Sequence, residues 1–172
     1  DLESEDGILV MRLAWVNTTT LYFNTYQWSY EYIGRRNYNL WRADITTGEI
    51  TQMFPPMMGG ELVASSDGML LAVVNPGIYQ ATDASITITD TRIRPELEPR
   101  IVLTYPAVAT GSEVEFIPPL AWVDDRTLWT AIPNADLIYD LTDNPPPVQL
   151  WEMDALTGEA TTIGAVNADF FG

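Results

Sequence analysis

Apolar and polar residues alternate along this chain in short segments. Ile86 and Ile88 alternate with Thr87 and Thr89, which is the two-residue period of a strand with one buried face. Clusters of turn-forming residues, such as Asn75-Pro76-Gly77, separate this segment from similar ones. No segment shows the period of an amphipathic helix, and the 12 Pro residues also disfavour helices. The pattern predicts an all-β chain.

The predicted strands are short and evenly distributed, and four of them recur about every 50 residues. They cover residues 8–16, 21–26, 38–44, 50–54, 60–65, 69–74, 84–91, 100–105, 120–123, 127–132, 148–154 and 160–165. The segment Thr46-Thr47-Gly48-Glu49 between two of them is a predicted tight turn, with Gly48 at a positive φ.

Two stretches of sequence recur in the same order. Residues 40–49 read Leu-Trp-Arg-Ala-Asp-Ile-Thr-Thr-Gly-Glu and residues 150–159 read Leu-Trp-Glu-Met-Asp-Ala-Leu-Thr-Gly-Glu, so six of the ten positions are identical. Upstream of each, residues 14–21 match residues 121–128. A middle unit aligns with both. The three-way matches are Ala14, Ala64 and Ala121; Asn17, Asp67 and Asp124; Leu21, Leu71 and Leu128; and Asp44, Asp90 and Asp154.

The repeat divides one domain, residues 1–172, into three units. Their approximate bounds are 8–58, 60–106 and 114–166, and residues 168–172 look like the start of a further unit. Four short strands with turns between them predict a four-stranded antiparallel meander in each unit.

The repeat units resemble those of TolB-like and WD40-like β-propellers. Residues 64–72, Ala-Ser-Ser-Asp-Gly-Met-Leu-Leu-Ala, are similar to the strand-turn-strand signature SPDG…(I/L)A, with Ser66 in place of the Pro. Leu-Trp-Arg-Ala-Asp at 40–44 and its copy at 150–154 look like the third strand, LYVVD, which a TGE turn follows. The first and third units depart from the SPDG signature at Asn17-Thr18 and Asp124-Asp125, which lack its Gly. The resemblance implies four-stranded blades around a central axis.

Three blades are too few for a closed propeller, because propellers typically have 4–8 blades. An open arc of three blades exposes two sheet faces to water. We therefore expect either that the chain is a fragment of a longer propeller or that further copies or partner chains close the ring.

The residue types that are missing limit the chemistry. The chain contains no Cys, no His and no Lys, since all eight basic residues are Arg. Disulfides, Cys-ligated zinc, Ser-His-Asp and Cys-His catalysis and Lys Schiff bases therefore cannot form within it. We expect no catalysis by this chain.

The charge and the apolar runs limit the partners. The net charge of −16 opposes binding to nucleic acid. The chain contains no run of 18 apolar residues, so the sequence does not predict membrane insertion. An acidic, Cys-free chain that is rich in Thr and Pro and begins at Asp1 favours an exported bacterial protein, extracellular or periplasmic.

An aromatic and basic segment is the main candidate for a binding surface. Tyr, Trp and Arg are typical anchors of binding interfaces, and alternate aromatics here offer a stacking surface for a sugar or a peptide. The candidate residues are Tyr26, Trp28, Tyr30, Tyr32, Arg35 and Arg36, within a loop predicted from Gln27 to Asn37. The alternative is a blade edge whose aromatics cover a neighbouring loop.

Two groups of carboxylates are candidates for a metal site. The denser group comprises Asp124, Asp125, Asp136, Asp140 and Asp143, with Asn134 and Asn144 nearby. Oxygens of this kind suit Ca²⁺, but no Asp-x-Asp-x-Asp-Gly spacing is present, so we expect no cofactor. The repeated residues Asp44, Asp90 and Asp154 either cap the turns that follow them or form a cation-binding ring, and capping is the simpler interpretation.

The Trp residues inside the repeated strands are predicted to pack in the core or between blades. They are Trp15, Trp41, Trp122, Trp129 and Trp151.

The function that these observations favour is a non-catalytic binding or scaffold module that recognises a protein, a peptide or a glycan through its loops. The alternatives are the propeller portion of a larger exported hydrolase of the prolyl-oligopeptidase kind and a self-assembling surface protein. Function is expected where the units differ, at residues 26–37, 92–99 and 133–147.

Overall fold

The computed structural model describes residues 8–28, 36–53, 60–77, 82–92, 100–108, 116–134 and 147–166. Within these ranges the chain forms strands and turns and no helix, as the alternation predicted. The strands are β1 (Ile8–Trp15), β2 (Thr20–Trp28), β3 (Arg36–Asp44), β4 (Glu49–Gln52), β5 (Leu62–Ala64), β6 (Leu70–Asn75), β7 (Ala84–Asp90), β8 (Arg100–Tyr105), β9 (Leu120–Trp122), β10 (Thr127–Pro133), β11 (Val148–Asp154) and β12 (Ala160–Val166). Every predicted strand overlaps one of them. No helix in the described ranges is long and apolar enough to cross a membrane.

The strands form three separate antiparallel sheets, each a four-stranded meander. We call β1–β4 the first blade, β5–β8 the second and β9–β12 the third, because each sheet follows the order of the chain. The predicted architecture of three blades in an open arc is confirmed.

The turn between the first two strands is one residue longer in the second blade. In the first blade, Val16 N–H donates to the carbonyl of Thr20, four residues later, at 3.2 Å. In the second blade, the corresponding bond runs from Ser65 N–H to the carbonyl of Leu70, five residues later, at 2.9 Å. In the third blade the turn has the short form, from Val123 to the carbonyl of Thr127.

This extra residue corrects the sequence alignment. The strand partners of Leu21, Leu71 and Leu128 are Trp15, Ala64 and Trp122 respectively. Ala64 therefore occupies the place of the two Trp residues, and its predicted match with Ala14 and Ala121 is wrong.

Each blade has two faces, because side chains alternate along a strand. The leading face carries Leu21, Leu71 or Leu128, and the trailing face carries the residue that follows each of them, Tyr22, Ala72 or Trp129. Leu71 packs in a core with residues of the first blade, and Leu128 packs in a core with residues of the second. The leading face of each blade thus contacts the trailing face of the preceding blade.

Two apolar cores fill the spaces between the blades. The core between the first and second blades consists of Ala14, Val16, Tyr22, Leu40, Met53, Leu62, Leu71 and Val73. The core between the second and third blades consists of Ala72, Val74, Ala84, Ile86, Ile88, Val102, Leu103, Tyr105, Leu128, Ile132, Met153 and Ala155. No blade contains its core within itself, so the blades stabilise one another.

Polar contacts fix the blades at both interfaces. Between the first and second blades, Arg12 forms an ion pair with Glu61 at 2.8 Å. Between the second and third, the indole N–H of Trp122 donates to the Val63 carbonyl at 3.1 Å. At this second interface the guanidinium of Arg100 also donates to carbonyls of the turn that precedes β12.

The prediction that all five Trp residues in repeated strands are packed is wrong for two of them. Trp15 is 56% exposed and Trp129 is 42% exposed. Both lie on outer faces of the arc, the leading face of the first blade and the trailing face of the third. Trp122 and Trp151 pack against the second core, and Trp41 stacks on Phe23 with ring centroids 6.5 Å apart.

Candidate functional site

The meander places the connections of each blade at two opposite ends. We call the end with the β2–β3, β6–β7 and β10–β11 connections the loop end. The other end, with the β1–β2 and β3–β4 turns and their equivalents, we call the turn end. Of the three segments in which function was expected, 26–37 and 133–147 have their described residues on strand ends at the loop end. Arg92, the described residue of segment 92–99, follows β7 at the turn end, and the rest of that segment lies outside the described residues.

The aromatic candidate segment begins and ends on strands. The loop predicted from Gln27 to Asn37 is shorter than expected, because β2 extends to Trp28 and β3 starts at Arg36. Backbone pairing sets Trp28 opposite Arg36 and Tyr26 opposite Tyr38. Aromatic residues favour such an extended hairpin.

The fold thus brings three of the six candidates, Tyr26, Trp28 and Arg36, to the loop end of one hairpin. The other three, Tyr30, Tyr32 and Arg35, lie outside the described residues. The assignment of this segment as a binding surface remains a prediction.

A cavity that the sequence did not reveal opens at the same end, between the second and third blades. Its volume is about 250 Å³. It is lined by Thr104, Tyr105, Pro106, Val108, Ile132, Pro133, Asn134, Gln149 and Trp151. The lining joins the ends of β8 and β10 to the start of β11, so no local motif could have indicated it.

Tyr105 is a polar residue with unusual surroundings in this part of the fold. It is 7% exposed, and its hydroxyl is the buried side-chain oxygen that has no hydrogen-bond partner among the described residues. Burial raises the pKa of this phenol, so it stays protonated. Asn134 and Gln149 supply amide donors and acceptors along the same cavity. The cavity therefore combines flat apolar walls with neutral polar groups.

The turn end is acidic, and its repeated carboxylates bind the backbone. Asp44 Oδ1 accepts hydrogen bonds from the N–H groups of Thr46 and Thr47, at 2.8 and 3.2 Å. Asp154 accepts the same pair of bonds from its own turn, at 2.8 and 2.9 Å. Asp90 accepts one from Arg92 N–H at 2.9 Å. Each carboxylate thus caps the turn that follows it.

Two of these carboxylates are also neutralised by Arg side chains. Arg92 forms an ion pair with Asp90, and Arg126 forms one with Asp154, both at 2.5 Å. These side-chain hydrogen bonds are the largest cause that lowers the pKa of each of the two carboxyls. Backbone hydrogen bonds lower the pKa of Asp44. Carboxylates whose oxygens are already used in this way are poor ligands for a cation ring.

Of the denser acidic group, the structure describes Asp124 and Asp125. Asp124 precedes β10 at the turn end, where its Oδ1 accepts from Arg126 and Thr127 N–H at 2.7 and 2.6 Å. β10 runs from this turn to Pro133 at the loop end, about 20 Å at roughly 3.3 Å per residue. The three members that come later in the sequence, Asp136, Asp140 and Asp143, lie outside the described residues.

Asp125, the remaining member of the group, accepts a hydrogen bond from Ser66 of the second blade. No group of three or more metal-ligating side chains occurs in the described part of the chain.

Comparison with known proteins gives structural relatives only. No protein-family model matches the sequence, and no curated protein matches it either. Among solved structures, the β-propeller domain of the Trilobed protease from Pyrococcus furiosus, which has an open velcro topology, is similar over 93% of this chain and 43% of its own. The TM-score of this match is 0.59 and the identity 10%.

Two further solved structures have the same fold. Pyrococcus horikoshii acylaminoacyl peptidase is similar over 93% of this chain and 25% of its own, with a TM-score of 0.63 and 12% identity. TolB from Acinetobacter baumannii is similar over 94% and 33%, with a TM-score of 0.51 and 16% identity. The chain spans less than half the length of each structure. The likeness shows the fold: these three sheets are β-propeller blades, consistent with a TolB-like propeller.

Proposed function

We propose that this chain is a non-catalytic recognition module that binds a protein, a peptide or a glycan at the loop end of its blades. One observation carries the proposal. The topology brings the end of the aromatic hairpin, with Tyr26, Trp28 and Arg36, to the same end of the arc as the cavity beside Tyr105 and Trp151.

The chemistry of this end supports recognition. Aromatic rings and prolines offer flat apolar surfaces, and the amides of Asn134 and Gln149 offer neutral hydrogen bonds, which together suit peptide groups and sugar rings. Loops on a rigid sheet scaffold commonly carry binding. The net charge of −16 favours neutral or basic partners. We further propose that the module acts outside the cytoplasm, in the periplasm or beyond the cell.

The proposal is tested by screening the 172-residue chain against a glycan array and a displayed peptide library. Replacing Trp28 and Tyr30 by Ala should reduce binding to the best ligand at least tenfold, because two aromatic anchors are lost. The melting temperature should change little. Ile45→Ala is the matched control, since Ile45 is 55% exposed at the opposite end. Unchanged binding by the double variant, or equal losses in the control, would refute the loop-end site.

A second candidate function rests on the structural relatives. Two of the three solved structures come from a protease and a peptidase, and this chain matches only a part of each. In this alternative the blades form the propeller portion of a larger hydrolase whose catalytic groups lie outside this chain. Sequencing the reading frame beyond residue 172 distinguishes the two candidates. A hydrolase domain there supports the alternative, whereas further blades alone support the recognition module.

A further inference from the structure

The leading face of the first blade is an exposed apolar surface. Val10, Leu13, Trp15 and Ile50 are 58%, 61%, 56% and 60% exposed. The equivalent of Leu13 in the second blade is Leu62, which is 4% exposed because the first blade covers it. The first blade therefore presents the apolar side chains of an interblade contact without the blade that covers them.

The trailing face of the third blade is the complementary surface. Trp129 and Val123 are 42% and 53% exposed. Their equivalents in the first blade are Tyr22 and Val16, which are 1% and 7% exposed in the first core. Ala121 is exposed as well. The exposed residues on the trailing face of the third blade thus occupy the same positions that a leading face covers at the two interfaces within the chain.

We propose that these two faces bind each other between two copies of this chain, as a head-to-tail dimer. The first blade of one copy packs on the third blade of the other, and the same contact forms a second time. Each new interface repeats the geometry of the two interblade contacts within one chain, so the dimer continues an interface that the fold already uses.

The hydrogen-bond chemistry of the internal interface extends to the new one. Trp122 donates from its indole to the carbonyl of Val63 in the preceding blade. Trp15 has the place of Trp122, and Ala121 has the place of Val63. In the dimer, the indole of Trp15 therefore donates to the carbonyl of Ala121 in the other copy. This bond gives the exposed Trp15 a partner and sets the register of the contact.

The charges on the two faces do not oppose the contact. The leading face of the first blade includes Trp15, Leu21, Phe23, Trp41 and Ile50. None of the described residues on this face has a charged side chain. On the trailing face, Glu152 accepts a hydrogen bond from the Trp129 indole at 2.9 Å.

The interface within one chain also holds a charge at the position of Glu152. Arg42 occupies that position in the first blade and remains partly exposed there. The contact between the first and second blades therefore accommodates a charged side chain at this position, and we expect the dimer contact to accommodate Glu152 in the same way.

The stoichiometry follows from the number of blades. Head-to-tail contacts form a closed ring when the rotation closes, and otherwise form filaments. Propellers close with 4–8 blades. The described residues of one 172-residue chain form three blades, so two such chains supply six blades and three supply nine. Among assemblies of this chain alone, the dimer is therefore the one whose blade number lies in this range.

The test begins with the mass of the wild-type 172-residue chain in solution, measured by native mass spectrometry and by light scattering at micromolar concentrations. We expect a species of twice the 19.2 kDa mass of one chain, which dissociates on dilution. A monomer at all concentrations, or a series of larger open assemblies, would overturn the proposal.

Three variants then test which faces of the two copies contact each other. Leu13→Asp on the leading face and Ala121→Asp on the trailing face should each give monomers with unchanged circular dichroism. Their mixture should recover dimers, because one unmodified interface can form. Leu156→Asp is the matched control, since Leu156 is 58% exposed on a turn away from both faces, and it should remain dimeric. A dimer of Ala121→Asp would show that leading faces pair with each other, which contradicts the head-to-tail contact.

Discussion

At the residue scale, two glycines with the same backbone conformation have different roles. Gly48 has φ +77° and Gly68 has φ +70°, and both lie in tight turns. Around Gly48, a Cβ would meet no atom within 4 Å. At Gly68, a Cβ would overlap the backbone carbonyl of Val16 in the first blade. Gly48 is therefore required by its turn alone, whereas Gly68 also allows two blades to approach.

The pair gives a direct prediction for stability. Gly48→Ala should lower the free energy of unfolding by about 1 kcal/mol, which is the cost of a left-handed conformation for a residue with a Cβ. Gly68→Ala should lower it by roughly 1–3 kcal/mol more, because the first and second blades must also separate. Urea denaturation of both variants measures the difference. Equal losses would show that Gly68 serves its turn alone.

At the element scale, the repeated turns are stabilised by the side chain of the residue that ends the third strand. Asp154 binds two backbone N–H groups and the guanidinium of Arg126, while Asp44 binds the same two N–H groups of its own turn. The recurring Thr-Gly-Glu sequence is thus explained by turn geometry, with Gly48 and Gly158 both at φ +77°. A recurring motif of this kind indicates blade architecture and not a ligand.

The pKa of Asp154 gives the turns a pH dependence. Its folded-state pKa lies below the ordinary value of 3.8, first because of the Arg126 hydrogen bond and then because of the Thr157 N–H group. Its stabilising contribution is therefore present above about pH 4 and is lost as the pH falls through the folded-state pKa.

Asp154→Asn keeps an acceptor for the turn but does not titrate. We expect the urea midpoint of this variant to fall less than that of the wild type between about pH 4 and about pH 2. Glu159→Gln is the control, because Glu159 is an acidic residue of the same turn, while the N–H groups of Leu156 and Thr157 donate to Asp154. Parallel pH profiles for the wild type and Asp154→Asn would contradict a titrating cap.

At the scale of the whole molecule, stability depends on contacts between neighbouring blades. The second blade is covered on both faces, and β6 has four consecutive buried residues from Leu71 to Val74. The first and third blades are each covered on one face. Arrays in which units contact only their neighbours open from the ends.

Hydrogen exchange should show this gradient in the monomeric Leu13→Asp variant. Amides of β6 and β7 should exchange most slowly, and amides of β2 and β10 should exchange faster, because less packing opposes their opening. In the wild type at concentrations that favour the dimer, β2 and β10 should become slower while β6 changes little. Mass spectrometry of exchanged peptides measures both effects. Uniform exchange across the three blades would contradict the gradient.

The sequence by itself determined the strands, the turns and the division into three blades, since these depend on local properties. Alternation such as Ile86-Thr87-Ile88 sets a strand, and an Asp followed by a Thr-Gly pair sets a turn. The tertiary structure alone decided what depends on distant residues. The longer turn that places Ala64 opposite Leu71, the exposure of Trp15 and Trp129, and the cavity beside Tyr105 all follow from how the blades pack. Similar strand signals produce a partly buried Trp122 where another blade covers the face, and an exposed Trp15 where none does.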